Sequence, residues 1–219
     1  MRCRDDVQCH ARANLPVQVT DARGGVTRLA YNAAGQLTAH TDCSGQTRAW
    51  RYDDEDRLAS ATDAAGGVTR YTYAAGQLAR IDHPDQRAEQ FEHDAEGRLL
   101  AHTDALHRRT TWRYDDAGRI AGRTDAAGQT LAYRWDRLGR LVGLTNENHA
   151  SCTFGYDPVG RLLAETGFDG RARRYRYAAD TGGLSRIDDG EWRTALSWDA
   201  MGRLTGRSAT RVDAQGQAV

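Results

Sequence analysis

A beat of 21 residues limits what this chain can fold into. An aromatic residue or His followed by D-x-x-G-[RQ]-[LI], or a near variant, returns at Tyr31, Tyr52, Tyr73, His93, Tyr114, Trp135, Tyr156, Tyr177 and Trp198. The intervals are 21, 21, 20 and then 21 throughout. A unit this short cannot bury a core by itself, so its copies must stack on one another as a tandem array.

Each copy carries two turn signals. In "YDDAGRIAGRTDAAGQTLAYRW" (Tyr114–Trp135) they are Asp115-x-x-Gly118 and Asp125-x-x-Gly128. Asp at the first corner of a type I turn bonds its carboxylate to nearby backbone N–H groups, and Gly at the fourth supplies a left-handed conformation. The pattern D-x-x-G occurs eleven times, against about two expected from the Asp and Gly content. Gly139, Gly160 and Gly202, each followed by Arg140, Arg161 and Arg203, repeat what Gly118 and Arg119 do in the quoted copy.

Between the turns lie two short segments. One ends in aromatic-x-aromatic, as in Trp50/Tyr52, Tyr71/Tyr73, Trp112/Tyr114, Tyr133/Trp135, Phe154/Tyr156 and Tyr175/Tyr177. This period of two predicts a strand with both rings on one face, and Arg51, Arg113, Arg134 and Arg176 between them on the other. Leucines or isoleucine at 37, 58, 78, 99, 120, 141, 162, 184 and 204 mark the second strand. The expected fold is all-β: hairpins of about 21 residues stacked into a curved antiparallel ribbon.

Composition agrees with a thin architecture. Hydrophobic residues make up 39% of the 219 residues and the mean hydropathy is −0.74, low for a thick core. Thirty basic and thirty acidic residues cancel, which argues against a general polyanion or nucleic-acid binder. All thirty basic residues are arginine, which reads as a compositional bias. No window is apolar enough for a membrane span, and the N-terminus has no apolar stretch of a Sec signal. Cys3, Cys9 and His10 sit in an expected irregular leader, residues 1–14, and residues 15–219 are expected to form one continuous array. Three irregularities interrupt the beat: Asp56 stands where Gly is expected, "HPDQ" carries Pro84 at a turn corner, and "YAADTGG" lengthens one turn.

The copies "YDDAGRIAGRTDAAGQTLAYRW", "YDPVGRLLAETGFDGRARRYRY" and "WDRLGRLVGLTNENHASCTFGY" resemble the YD repeat of Rhs proteins, a repeat shared with the shells of insecticidal toxin complexes and with teneurins. The resemblance covers about residues 15–219. It implies a segment of a hollow β-shell that, in bacterial members, encloses a C-terminal toxin released by an aspartyl self-cleaving segment. It also implies type VI secretion or a related route, synthesis in the bacterial cytoplasm before export, and as partners further repeats, a toxin domain of a longer parent chain, or spike proteins. The small number of copies suggests an arc of wall. The ending "RVDAQGQAV" suggests a truncated array, whose open sheet edges would favour self-association. Asp157–Gly160, "DPVG", resembles a box of the self-cleaving segment, but it keeps phase with its sister turns and reads as a repeat.

Chemistry has weak support. Asp53/Asp54 and Asp115/Asp116 are paired carboxylates, yet they recur at turn corners. The histidines show no metal-ligand spacing, and His40 and His102 occupy equivalent repeat positions. Cys43 and Cys152 lack a catalytic signature. The expectation is a non-enzymatic chain with neither cofactor nor metal. An alternative is a carbohydrate- or cell-wall-binding module that stacks sugars on exposed Trp50, Trp112 or Trp135.

Overall fold

The computed structural model describes residues 6–9, 15–213 and 217–219, with side chains from residue 15 onward. Cys3 and His10, and the side chain of Cys9, lie outside the described residues. The chain divides into two compact units, residues 1–109 and 110–219.

The first unit contains β1 (Asp6–Cys9), β2 (Pro16–Thr20), β3 (Val26–Tyr31), β4 (Leu37–Thr41), β5 (Thr47–Tyr52), β6 (Leu58–Thr62), β7 (Val68–Ala74), β8 (Gln77–Asp82), β9 (Ala88–His93) and β10 (Leu99–Thr103). Each pairs antiparallel with the next. The second unit contains β11 (Arg109–Tyr114), β12 (Ile120–Thr124), β13 (Thr130–Trp135), β14 (Leu141–Asn146), β15 (Ser151–Tyr156), β16 (Leu162–Thr166), β17 (Ala172–Tyr177), β18 (Leu184–Asp189), β19 (Trp192–Trp198) and β20 (Leu204–Arg211). It follows the same up-and-down order.

One expectation needs correction. Residues 6–9 of the supposed irregular leader form β1, which supplies the first array strand, β2, with a hydrogen-bonded neighbour. The segment lacks the D-x-x-G phase, so nothing in the repeat pattern marked it. An unpaired β2 edge would leave backbone N–H and C=O groups exposed, and β1 covers them.

The turns follow from their corner residues. Asp125 N–H bonds Gln129 O at 3.0 Å and Gly128 N–H bonds Asp125 O at 2.9 Å, with Gly128 at φ 80°. This is a type I turn followed by a left-handed residue, a common three-residue hairpin closure. Asp125 Oδ1 accepts the N–H groups of Ala127 and Gln129, both at 3.0 Å. Asp56 occupies the same left-handed slot at φ 62°, as do Gln86, His107 and His149. Where the beat shortens to 20, Ala75 and Gly76 (φ 48° and 81°) form a two-residue turn between β7 and β8.

A second regularity lies beside each ring. Arg51 faces Ser60 and Tyr52 faces Leu58, so Ala59 is an extra residue. Equivalent bulges occur at Tyr31, Tyr73, Tyr114, Trp135, Tyr156, Tyr177 and Trp198. A bulge bends the strand and re-aims a side chain, here the ring.

There is no thick core. Among the described residues Ala101 and Val212 are the buried apolar residues, and no large side chain is fully buried. Strand β13 alternates exposed and half-buried positions along its length, with Tyr133 and Trp135 on the half-buried face and Arg134 exposed. Gly122 and Gly143 are buried on the opposite face. A Cβ added there would stand 2.7 Å from Arg113 Nη2 or 3.0 Å from Arg134 Nη2, so these cross-strand arginines lie over glycine. Among the described residues no helix is long and apolar enough to cross a membrane.

Candidate functional site

Aromatic tips tie each repeat to the one before it. Tyr52 Oη donates to Leu37 O at 2.9 Å, Tyr73 to Leu58 O at 3.0 Å, Tyr156 to Leu141 O at 2.9 Å and Tyr177 to Leu162 O at 2.9 Å. Trp135 Nε1 donates to Ile120 O and Trp198 Nε1 to Leu184 O, both at 2.7 Å. Tyr and Trp suit the slot because each is an apolar plate with a polar edge. The acceptor is the carbonyl at the start of the preceding leucine strand, next to the bulge. Tyr114 stands in the corresponding position at the end of β11.

The D-x-x-G-R turn supplies the rest of the tie. Asp157 Oδ1 accepts the N–H groups of Val159 (3.1 Å) and Arg161 (2.8 Å), and Oδ2 accepts Arg161 Nε at 2.7 Å. The same carboxylate–guanidinium bond joins Asp53 to Arg57, Asp94 to Arg98, Asp115 to Arg119, Asp136 to Arg140 and Asp199 to Arg203. Arginine held in this way lies over the next ring: Arg57 over Tyr73 at 4.5 Å, Arg119 over Trp135 at 5.9 Å, Arg140 over Tyr156 at 5.1 Å and Arg161 over Tyr177 at 4.6 Å. Arg119 Nη1 and Arg140 Nη1 also reach Asp136 O (3.0 Å) and Asp157 O (3.1 Å).

The turn glycines Gly118, Gly128, Gly139, Gly160 and Gly202 all have positive φ, between 75° and 89°. Aspartates of the ring-following turns are stronger acids than usual. The Arg119 guanidinium and backbone N–H hold Asp115 below the ordinary 3.8, and the Arg140 N–H and guanidinium do so for Asp136. At Asp157 partial burial pushes upward, but the bonds from Arg161 outweigh it. A general acid needs the opposite shift, so the paired-carboxylate geometry serves turn closure.

Arginine's double role was not anticipated from the sequence, although a signal was present. The offsets Asp to Arg of four and Arg to ring of sixteen recur with the beat.

Other chemistry-bearing side chains are dispersed or tied down. His83 Nε2 and His102 Nε2 share the Glu89 carboxylate at 2.9 and 2.7 Å, and His102 stacks on Phe91 at 4.7 Å. His102, but not its repeat equivalent His40, is placed in this cluster. Those bonds, with His102 first, lower the Glu89 pKa. Cys43 and Cys152 are free thiols, and burial with the nearby Glu165 charge pushes the Cys152 thiol up, away from the thiolate a nucleophile needs. Among the described residues no three His, Cys, Asp or Glu side chains converge as ligands of one metal ion.

With this geometry in view, the chain can be set beside known proteins. It is 37% identical over 87 residues to double-stranded DNA deaminase toxin A of Burkholderia cenocepacia (strain H111), covering 39% of this chain and 6% of that protein. It is 34% identical over 106 residues to probable deoxyribonuclease RhsA of Dickeya dadantii (strain 3937), covering 45% of this chain and 7% of that one. The chain thus spans less than a tenth of the length of the curated relatives it matches. Its fold is similar to part of TcdB2-TccC3 without the hypervariable C-terminal region (TM-score 0.75, 16% identity) and to part of TcdB2-TccC3 in a second crystal structure (TM-score 0.75, 17% identity). These likenesses cover 90% and 91% of this chain and 12% of that one, and they bear out the all-β tandem-hairpin fold expected from the sequence. The RHS repeat pattern matches residues 12–47, 31–68, 52–88, 93–130, 114–151 and 135–172, well over half of the sequence, and the chain belongs to the RHS repeat family.

Proposed function

We propose that this chain is a non-catalytic wall segment of an Rhs-type protein, part of a β-shell that encloses a C-terminal toxin or effector for delivery to competitor or host cells. The observation that carries this reading is the tie between repeats. Asp115, Arg119 and Trp135 are bonded to one another and to backbone carbonyls of the adjacent repeat, and their counterparts in the sister copies follow the same plan. Side chains committed in this way serve extension of a sheet.

Two relatives are named as a DNA deaminase toxin and a probable deoxyribonuclease. What this chain shares with them is repeat sequence, so the reading assigns it the role of container and leaves the named activities to other parts of those proteins. A parent chain with further repeats and a toxin domain, assembly in the bacterial cytoplasm, and export with type VI spike proteins belong to the same proposal. The sugar-binding alternative needs open ring faces, and arginines stand over four of them. A glycan array that retained the chain would reverse this ranking.

The test is limited proteolysis of the full-length parent protein. A shell predicts that the C-terminal domain resists digestion until the wall is loosened by Tyr156→Ala. Equal digestion of that domain with the intact and the loosened wall would count against enclosure.

A further inference from the structure

Two ring-following turns depart from the D-x-x-G-R plan in the same way. Gln36 and Gln77 stand where the sister turns have arginine. Gln36 Nε2 donates to Asp56 O at 2.8 Å. Gln77 is exposed and points to the equivalent place, with Nε2 2.8 Å from where a Cβ on Gly97 would stand.

Each of these turns faces a groove. Beside Asn32, in the Gln36 turn, about 490 Å³ opens before Trp50, Tyr52, Asp53 and Asp56. Beside Gln77 about 570 Å³ opens before Phe91, His93, Asp94, Glu96 and Leu100. The two linings share four corresponding positions, Trp50 and Phe91, Tyr52 and His93, Asp53 and Asp94, and Asp56 and Gly97, while Arg51 in the first stands where Glu92 is in the second. At the sister turns this is where an arginine lies over the ring sixteen residues on, as Arg140 does over Tyr156. The grooves are the slots of missing lattice arginines.

We propose that the groove before His93 binds the guanidinium of an arginine presented by another polypeptide. Charge favours a cation there, since Asp94 and Glu96 line the groove and no basic side chain other than His93 does. Arg98 reaches both carboxylates from outside the lining, one cation against two anions. The bound guanidinium lies over His93 and donates to Asp94 O. Asp94 O takes the Gly97 N–H at 3.0 Å, just as Asp136 O takes Gly139 N–H and still accepts Arg119. A carbonyl has two lone pairs, so the second bond fits. Lysine fits less well, because a point ammonium cannot both stack on the ring and reach the carbonyl as a planar fork does. A cleft of this size holds a side chain and its flanking backbone. The inference does not depend on the wall enclosing anything.

The experiment is an NMR titration of the 219-residue chain with N-acetyl-L-arginine amide, and separately with N-acetyl-L-lysine amide. Saturable shifts at Gln77, His93 and Asp94 are expected with the arginine probe, with binding at least about threefold weaker for the lysine probe. Gln77→Arg refills the slot from within and should abolish the shifts at His93 and Asp94. Ala95→Trp, at an exposed turn corner beside the groove, should block it from outside. The proposal is overturned by an absence of saturable shifts at His93 or by equal response to lysine. It is also overturned if the His93 shifts survive in either variant whose spectrum is otherwise that of the parent chain.

Discussion

The turns that follow the rings and the turns that follow the leucine strands share one pattern yet tolerate different changes. In the ring-following row the fourth residue is Gly at 35, 97, 118, 139, 160 and 202, Asp56 takes that place once, and the turns Ala74–Gln77 and Ala178–Gly183 differ in length. In the other row Gly24, Gly45, Gly66, Gly128 and Gly170 alternate with Gln86, His107 and His149. The first corner varies in both rows, with Asn32, Ala74 and Ala178 in the ring-following row and His83, Asn146 and Gly167 in the other. A far turn has only to close a hairpin. A ring-following turn with Asp and Arg also holds an arginine that reaches the next repeat, so its Asp answers to two constraints.

The largest expected effect comes from removing what that row supports. Tyr156→Ala deletes a half-buried ring, its bond to Leu141 O and the plate under Arg140, and should cost about 3–5 kcal/mol. Asp125→Ala, in the far row, loses local turn bonds and should cost about 1 kcal/mol. Urea unfolding of both variants tests the contrast, and equal losses would mean that the two rows contribute alike.

Gly118→Val and Gly128→Val should each cost about 1–3 kcal/mol, since a β-branched residue is forced to positive φ in either row. At Gly128 an added Cβ meets nothing within 4 Å, so its loss isolates backbone strain from crowding. An unchanged melting temperature for Gly128→Val would sever positive φ from stability in the far row.

Acid should weaken both rows. The Arg108 guanidinium and N–H lower Asp104 from 3.8 to about 2, and Asp115, Asp136 and Asp199 are lowered as well. A depressed folded-state pKa contributes stability above the unfolded value and loses it as pH falls through the folded value. Melting temperature should therefore hold above about pH 4 and decline toward pH 2. Circular dichroism melts across that range check it, and a flat profile would contradict the assignment of these carboxylates.

The beat, the turns and the alternation of Tyr133, Arg134 and Trp135 were legible because each rests on local chemistry: corner Asp, left-handed Gly, period two. The tie between repeats was harder to see. It depends on where Trp135 points after a bulge, and a bulge leaves no mark on the sequence beyond an extra residue. Strand β1 was hidden for another reason, since its pairing with β2 is backbone bonding that needs no motif. Arg119 looked like compositional background in a chain whose thirty cations are all arginine. Only its place between Asp115 and the Trp135 ring separates it from the rest.

The smallest expected effect is a gain, and it probes the exception in each row. Asp56 and His149 hold the left-handed slot at φ 62° and 60°. Side chains in that region cost about 1–2 kcal/mol, and glycine returns about 0.5–1 kcal/mol of this through its freer unfolded state. His149→Gly should therefore stabilise by about 0.5–1 kcal/mol. Asp56→Gly should gain as much if its side chain is a passenger, because Gln36 bonds the Asp56 carbonyl, which the substitution keeps. A smaller gain at Asp56 than at His149, read from paired urea titrations, would assign the Asp56 carboxylate a part in joining the repeats. Equal gains would confine the ring-following row's extra constraint to its first corner and its arginine.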